Sequence, residues 1–295
     1  MRFSRIIIVG CGPAGIACAI QLKRMGLDPV IIEKNQPGGM LFNANLIENY
    51  PGFPAGISGP DLAALFTGQF SRFGISMMMD EVLLAGYSGG KFTLTTTSGL
   101  YQCNILVVAA GTEPEIPGQY YGELMNKGLV HSDIIKLRQV RDKTIGITGA
   151  GDAAFDYSLT LAENDNIVII FNRGNRIKAL KVLQEKVFIN KRIKYLENTS
   201  LESLETQPGK GLQATCNSAS LNRTYSLDYL IFATGRKPAD GFFRESLEGL
   251  VPGLLKDHRL YLVGDIKNGN YRQVSVAVGD GVSAAMEIFQ DESNQ

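Results

Sequence analysis

The chain has 295 residues, 44% of them hydrophobic, and its 29 Lys+Arg balance 29 Asp+Glu. That length suits two domains with ordinary cores, and the zero net charge argues against a protein that coats nucleic acid or lies on a membrane through a polybasic patch. The four cysteines, Cys11, Cys18, Cys103 and Cys216, form no C-x-x-C pair and read as buried thiols of a reducing, cytoplasmic compartment.

The first apolar stretch, IIIVGCGPAGIACAI, is interrupted by glycines in a way that fits a nucleotide fingerprint better than a signal peptide. No apolar stretch approaches the roughly 20 residues that span a bilayer. Residues 5–10, RIIIVG, predict a buried parallel strand. They feed Gly10-x-Gly12-x-x-Gly15, a helix that ends at Gly26, and a second strand, DPVIIEKN, with Glu33 at its end. Gly10 permits a tight turn, Gly12 lets backbone approach a pyrophosphate, and Gly15 lets helix and strand pack closely. The helix start offers free N–H groups to phosphates, and Glu33 is placed to accept from a ribose diol. Strand, turn, helix, strand and terminal acid in this order are far more specific than three glycines alone.

Residues 91–104, KFTLTTTSGLYQCN, alternate with period two around a Ser-Gly turn and predict a β-meander. NILVVAAGTEP (104–114) predicts the strand that closes the first unit. GLVHSDIIKL (128–137) then sets His131, Ser132 and Asp133 side by side. Triads are assembled in space and are rarely consecutive in sequence, so hydrolysis is not expected of them.

Residues 143–162 repeat the strand–turn–helix pattern with Gly149, Gly151 and Ala154, and NIVIIFNRGNR (166–176) predicts the next strand. Asn172 lies 23 residues after Gly149, as Glu33 lies 23 after Gly10, and Arg173, Arg176 and Lys178 follow it. A carboxylate there would repel a ribose 2′-phosphate; a neutral Asn beside arginines accepts one, which favours NADPH and leaves NADH open. GLQATCNSASLNRTYSLD (211–228) predicts a second meander, DYLIFATGRKP (228–238) the closing strand of the second unit, and RLYLVGDIKN (259–268) a strand that runs into Gly264-Asp265. Short hinges are expected near 112–118 and 236–242.

Four stretches carry a family resemblance: GCGPAGIACA, GGMLFNANLIENYPGFPAGISGPDL (38–62), GAGDAAFDYSLTLA and YLVGDIKNGNYRQVSVAVGDGVSAA (261–285). Through them the chain resembles, over almost its full length, the low-molecular-weight thioredoxin reductases and the thioredoxin-reductase-like ferredoxin–NADP reductases. ENYPG and YRQ, in that order, are the most specific elements. The resemblance implies an α/β fold of two Rossmann-like, three-layer ββα domains. An FAD-binding domain, 1–113 and 242–295, would be split by an inserted NAD(P)H-binding-like domain, 114–241. It implies FAD at Gly10, Gly12, Pro13, Ala14, Glu33, Lys34, Val82, Ala110 and Gly111, with Gly39, Met40 and Asn49 on the flavin side. Gly264 and Asp265 would hold the ribityl–phosphate region, and Arg272, Gln273 and Val274 would approach the isoalloxazine. For the pyridine nucleotide it implies Gly149, Gly151, Asp152, Ala153, Asn172, Arg173, Arg176 and Gly235. A homodimer is also implied.

The chain departs from the family at two places. Counting back from Gly149, the redox C-x-x-C of thioredoxin reductases falls on Ser132 and Ile135. The family's His-Arg-Arg with a later Arg becomes NRGNRIK, in which Arg173 keeps its place and Lys178 replaces the later Arg. The expectation is an FAD-containing NAD(P)H oxidoreductase without an internal dithiol, with His131 and Ser132 near the flavin. Its electrons would pass directly to ferredoxin, flavodoxin, a thioredoxin-like protein or a small acceptor. Two alternatives stand beside it: a thiol–disulfide reductase working through a partner's cysteines, and a flavoprotein electron-transfer partner that has lost its pyridine nucleotide. No metal, nucleic-acid or membrane partner is expected.

Overall fold

A computed structural model describes residues 1–293 except 117, 119, 208–210 and 219–220. Contacts divide the chain into two units: residues 1–42, 46–113 and 237–295, and residues 43–45 and 114–236. The return crossover thus falls at 236/237, and the three residues 43–45 group with the second unit. The outgoing segment Thr112–Pro114 and the returning segment Arg236–Pro238 pair as a two-stranded ribbon. The expected hinge at 112–118 includes residue 117, which lies outside the described residues.

The first unit is built on a five-stranded parallel sheet in the order Leu260–Leu262, Ile105–Val108, Ile6–Val9, Val30–Glu33, Ser76–Met79. Ile6–Val9 is buried throughout, because both faces of the sheet are covered. Ile6 and Ile8 join a core with Ile16, Leu22, Ala285 and Ile288, contributed by the helices Pro13–Arg24 and Val274–Ser293. Ile7 and Val9 face the other way, toward Phe92, Leu94, Tyr101 and Cys103. Those four belong to an antiparallel layer of Val82–Ser88, Lys91–Thr96 and Leu100–Cys103, extended by the short parallel strand Arg2–Phe3. The period-two alternation of one apolar tetrapeptide therefore ties together three layers.

The second unit repeats the plan. Its parallel sheet runs Val130–His131, Tyr229–Phe232, Thr144–Thr148, Ile167–Phe171, Ile193–Leu196. The helices Asp152–Ala162 and Lys181–Ile189 cover one face through Phe155, Leu161 and Val187. The meander Thr199–Gln207, Gly211–Ser218, Leu221–Leu227 covers the other through Leu204, Leu212, Ala214 and Leu227. Both meanders stand where the sequence places them, and the fold is the two-domain dinucleotide-binding fold that the glycine motifs imply.

Candidate functional site

In the first unit, strand Ile6–Val9 turns at Gly10, whose φ is +101°. A Cβ there would lie 2.4 Å from the Ala109 carbonyl oxygen and 3.1 Å from Ala110 Cα, so no other residue fits between the neighbouring strands. Gly12 is extended and heads the helix Pro13–Arg24, with Pro at its first position and no side-chain cap. A Cβ on Gly12 would meet nothing within 4 Å; this is an open cradle above uncapped helix N–H groups. Gly39 sits against it, since its own missing Cβ would be 3.2 Å from Gly12 Cα. Gly38 N–H donates to Cys11 O at 2.8 Å, which brings the 38–39 loop and the half-exposed Met40 beside the turn. From the other side comes Gly264, φ +76°, whose Cβ would be 2.9 Å from that of Ala14. Asp280 holds it there by accepting from Gly264 N–H at 3.0 Å and Asn268 Nδ2 at 2.6 Å, and Asp265 follows at once in the 3-10 turn Gly264–Ile266.

Glu33 is buried at the end of its strand. Its carboxylate accepts from Cys11 N–H at 2.6 Å and Asn35 N–H at 2.8 Å. A carboxylate offers about four acceptor positions, so two remain for a diol. Next to it Asp80 N–H donates to Glu33 O at 2.9 Å. The Asp80 carboxylate accepts from Thr96 Oγ1 at 2.6 Å, from Thr97 and Ser98 hydroxyls, and from Glu81 N–H at 2.9 Å. Burial opposes its ionisation, but the Ser98, Thr96, Thr97 and Glu81 donors outweigh that and hold it well below the usual carboxylate range. Lys34 pairs with Glu81 at 3.5 Å, just before Val82. Asn49 Nδ2 donates to Gln273 Oε1 at 2.7 Å, so ENYPG and YRQ meet directly. Gln273 O in turn accepts Ala277 N–H at 3.0 Å at the start of the helix that opens with Val274, next to Arg272. Ala110 and Gly111 leave the neighbouring strand, and Gly111 O accepts Ala239 N–H at 3.1 Å.

The second unit has the same turn with different furniture. Gly149 has φ +133°, and a Cβ would lie 2.3 Å from Ala233 O; Gly151 again faces open space. Asp152 opens the helix and accepts Leu180 N–H at 2.8 Å, with Ala153 exposed beside it. Gly235, φ +148°, abuts Glu115, whose N–H donates to Gly235 O at 3.0 Å. Asn172 turns its amide inward: Nδ2 donates to Tyr195 OH at 2.8 Å and Arg176 O at 3.2 Å, and Oδ1 accepts Gly174 N–H at 3.2 Å. It braces the loop that carries Arg173, Arg176 and Lys178, all exposed, and Lys178 N–H returns to Ala150 O at 2.8 Å. The cations, rather than the Asn side chain, face outward at this turn.

His131 and Ser132 are less suggestive in place than in sequence. His131 is buried in the strand Val130–His131, its Nε2 3.0 Å from Gly128 O and its ring against Tyr229. Burial pushes its pKa down, so it is neutral at neutral pH. Asp133 accepts Ile135 N–H at 3.0 Å instead of engaging the histidine. Ser132 is half-buried. All four cysteines are free and buried. Burial pushes the Cys18 and Cys103 thiols up to about 12, burial with the Glu33 charge does the same for Cys11, and Cys216 rises to about 11. Among the described residues no group of three or more His, Cys, Asp or Glu could hold a metal, and no helix is long and apolar enough to cross a membrane.

Asp80 and Asp280 were not foreseen. Each acts on partners remote in sequence, and neither lies in a recognisable local pattern.

The family model described as pyridine nucleotide-disulphide oxidoreductase matches residues 4–281. A thioredoxin reductase of Treponema pallidum is 29% identical over 95% of this chain and 94% of its own length, and one from Chlamydia trachomatis is 26% identical over 97% and 98%. In structure the chain is similar to Lactococcus lactis thioredoxin reductase, with a TM-score of 0.84 at 23% identity over 99% of both chains. It is also similar to the bacillithiol disulfide reductase of Bacillus cereus, with a TM-score of 0.74 at 18% identity over 98% and 100%. The open glycine cradles, the buried acid at one of them and the match along the chain agree: this chain belongs to the pyridine nucleotide-disulphide oxidoreductase family, as an FAD-dependent oxidoreductase of thioredoxin reductase-like type in a family that uses FAD and NADPH.

Proposed function

We propose that the protein couples NADPH oxidation to reduction of an external acceptor without passing electrons through a dithiol of its own. Bound FAD supplies the chemistry, taking two electrons from the nicotinamide and giving them to the acceptor. The chain's task is to hold and orient. Gly10, Gly12, Pro13 and Ala14 would take the FAD pyrophosphate on backbone N–H groups. Glu33 would accept from the ribose diol, with Gly39, Met40, Gly264 and Asp265 closing the cradle. Gln273, fixed by Asn49, would steady the YRQ segment with Arg272 and Val274. Gly149, Gly151, Asp152 and Ala153 would carry the pyridine nucleotide, and Arg173 and Arg176, braced by Asn172, would take the 2′-phosphate.

One observation carries the proposal. Ser132 and Ile135 stand at the dithiol positions, and the four cysteines the chain does have are buried and kept protonated near neutral pH, whereas a thiol relay needs a thiolate. The test is differential alkylation of the holoenzyme, oxidised and after anaerobic NADPH reduction. The flavin band should bleach while no pair of cysteines changes between disulfide and thiol. A switching pair would overturn the proposal.

A second reading, reduction of a partner's disulfide, is favoured by the printed names of the relatives, thioredoxin reductase and bacillithiol disulfide reductase. Turnover of thioredoxin in place of ferredoxin, flavodoxin or quinone would select it.

A further inference from the structure

Residues 173–194 hold eight of the chain's 29 cations and only one of its 29 acids, Glu185. In a chain of zero net charge this segment is strongly basic, and the remainder is correspondingly acidic. Arg173, Arg176, Lys178, Lys181, Lys191, Arg192 and Lys194 are exposed. Arg192 pairs with Asp165 at 2.8 Å. Arg173, Arg176, Lys178, Lys181, Lys191 and Lys194 make no ion pair with any described acid.

A nucleotide phosphate accounts for only part of this. Arg173 to Lys178 stand beside the Gly149 turn. The helix Lys181–Ile189 then runs away from that turn for about 14 Å, and Lys191, Arg192 and Lys194 lie beyond its far end and on the edge strand Ile193–Leu196. The cations are interleaved with apolar side chains that the fold leaves outside. Ile189 is 81% exposed and Phe188 54%, with Leu180 and Val182 also open. Val187 alone of this helix is fully buried.

We propose that this face of the second unit, the helix Lys181–Ile189 with the edge strand beside it, docks the acidic carrier protein that accepts the electrons; this rests on the reading above that the acceptor is external. A few solvent-exposed apolar groups within a field of one sign are what a transient, electrostatically steered protein contact uses: charge sets encounter rate and orientation, apolar contact sets residence. A compact partner feels the local field, since screening limits it to about 8–10 Å. An extended polyanion or an anionic bilayer would also meet the acidic remainder of the chain, which favours a small acidic protein as occupant.

The experiment uses the FAD-loaded full chain, three acidic carriers (flavodoxin, a two-cluster ferredoxin and thioredoxin) and menadione as an uncharged acceptor. The triple variant Lys181→Glu, Lys191→Glu, Lys194→Glu avoids the nucleotide-side arginines. For the carrier that the wild type reduces, KM should rise at least tenfold with kcat unchanged, and the wild type's loss of affinity with added salt should flatten. NADPH KM and menadione turnover should be unchanged, which excludes misfolding. Unaltered carrier KM and salt dependence in the variant would overturn the docking face while leaving the external acceptor intact. A wild type that turns over menadione but neither binds nor reduces any carrier would overturn both. Binding of the wild type to phosphatidylglycerol vesicles, lost in the variant while carrier reduction persists, would reassign the face to a membrane and overturn the proposal.

Discussion

The chain solves one problem twice and differently. At Gly10 and at Gly149 the same strand–turn–helix geometry leaves the same open space above an uncapped helix start. At the first, a buried carboxylate ends the next strand and still has acceptor capacity to offer. At the second, a buried amide has turned inward to brace a loop whose cations point out. A shared turn therefore fixes where a dinucleotide can lie, and one residue at the end of the following strand decides which phosphate pattern it tolerates.

The hardest test of that equivalence is to fill each turn. Gly10→Ala and Gly149→Ala both place a methyl within 2.4 Å of a neighbouring carbonyl oxygen at a φ that disfavours side chains, a cost of several kcal/mol. Gly10→Ala is expected to purify without yellow colour. Gly149→Ala should keep its flavin and raise the NADPH KM at least 100-fold. Flavin retention in Gly10→Ala, read from the visible spectrum, would break the comparison.

Exchanging the deciding residues sharpens it. Asn172→Glu puts a carboxylate beside Arg173 and Arg176, and should raise the NADPH KM at least tenfold with little change for NADH. Arg173→Ala with Arg176→Ala should act in the same direction, by about 2–3 kcal/mol if both bond the 2′-phosphate. The ratio of kcat/KM for the two nucleotides reads both variants; an unchanged ratio would remove these cations from the site.

Much of this was legible in the sequence for a physical reason. The glycine turns are local: positive φ, helix start and strand end lie within one 25-residue window, so Gly10, Glu33, Gly149 and Asn172 could be placed by counting. The edge strand Ser76–Met79, SMMM, gave little signal because it lacks β-branched alternation. The direction in which Asn172 points depends on Tyr195, 23 residues away on another strand. His131 stood out as one of two histidines, yet its environment is set by Gly128 and Tyr229, which no spacing rule connects. The Asp80 and Asp280 networks are tertiary in the same sense.

Two further aspartates extend the comparison from turns to charge. In the first unit Asp80 has four donors and its pKa is driven down despite burial. Its stabilising effect is therefore present above the ordinary carboxylate pKa and is lost as pH falls below it. Asp80→Asn should cost about 3 kcal/mol at neutral pH by removing charge-assisted hydrogen bonds. In the second unit Asp156 accepts a single backbone bond, from Asn45 N–H at 2.9 Å, and burial raises its pKa to about 6 from 3.8. The sign reverses: the folded state holds the proton more tightly than the unfolded one, so stability is intact below about pH 4, falls as pH rises toward 6, and is constant above. Asp156→Asn keeps an acceptor for Asn45 and removes the buried charge. It should raise stability by about 1–3 kcal/mol at pH 7.5, at 1.36 kcal/mol per pKa unit, and by nearly nothing at pH 4. Denaturant melts of the variant at the two pH values check it, and a gain of equal size at both would show that packing, not ionisation, sets the environment of Asp156.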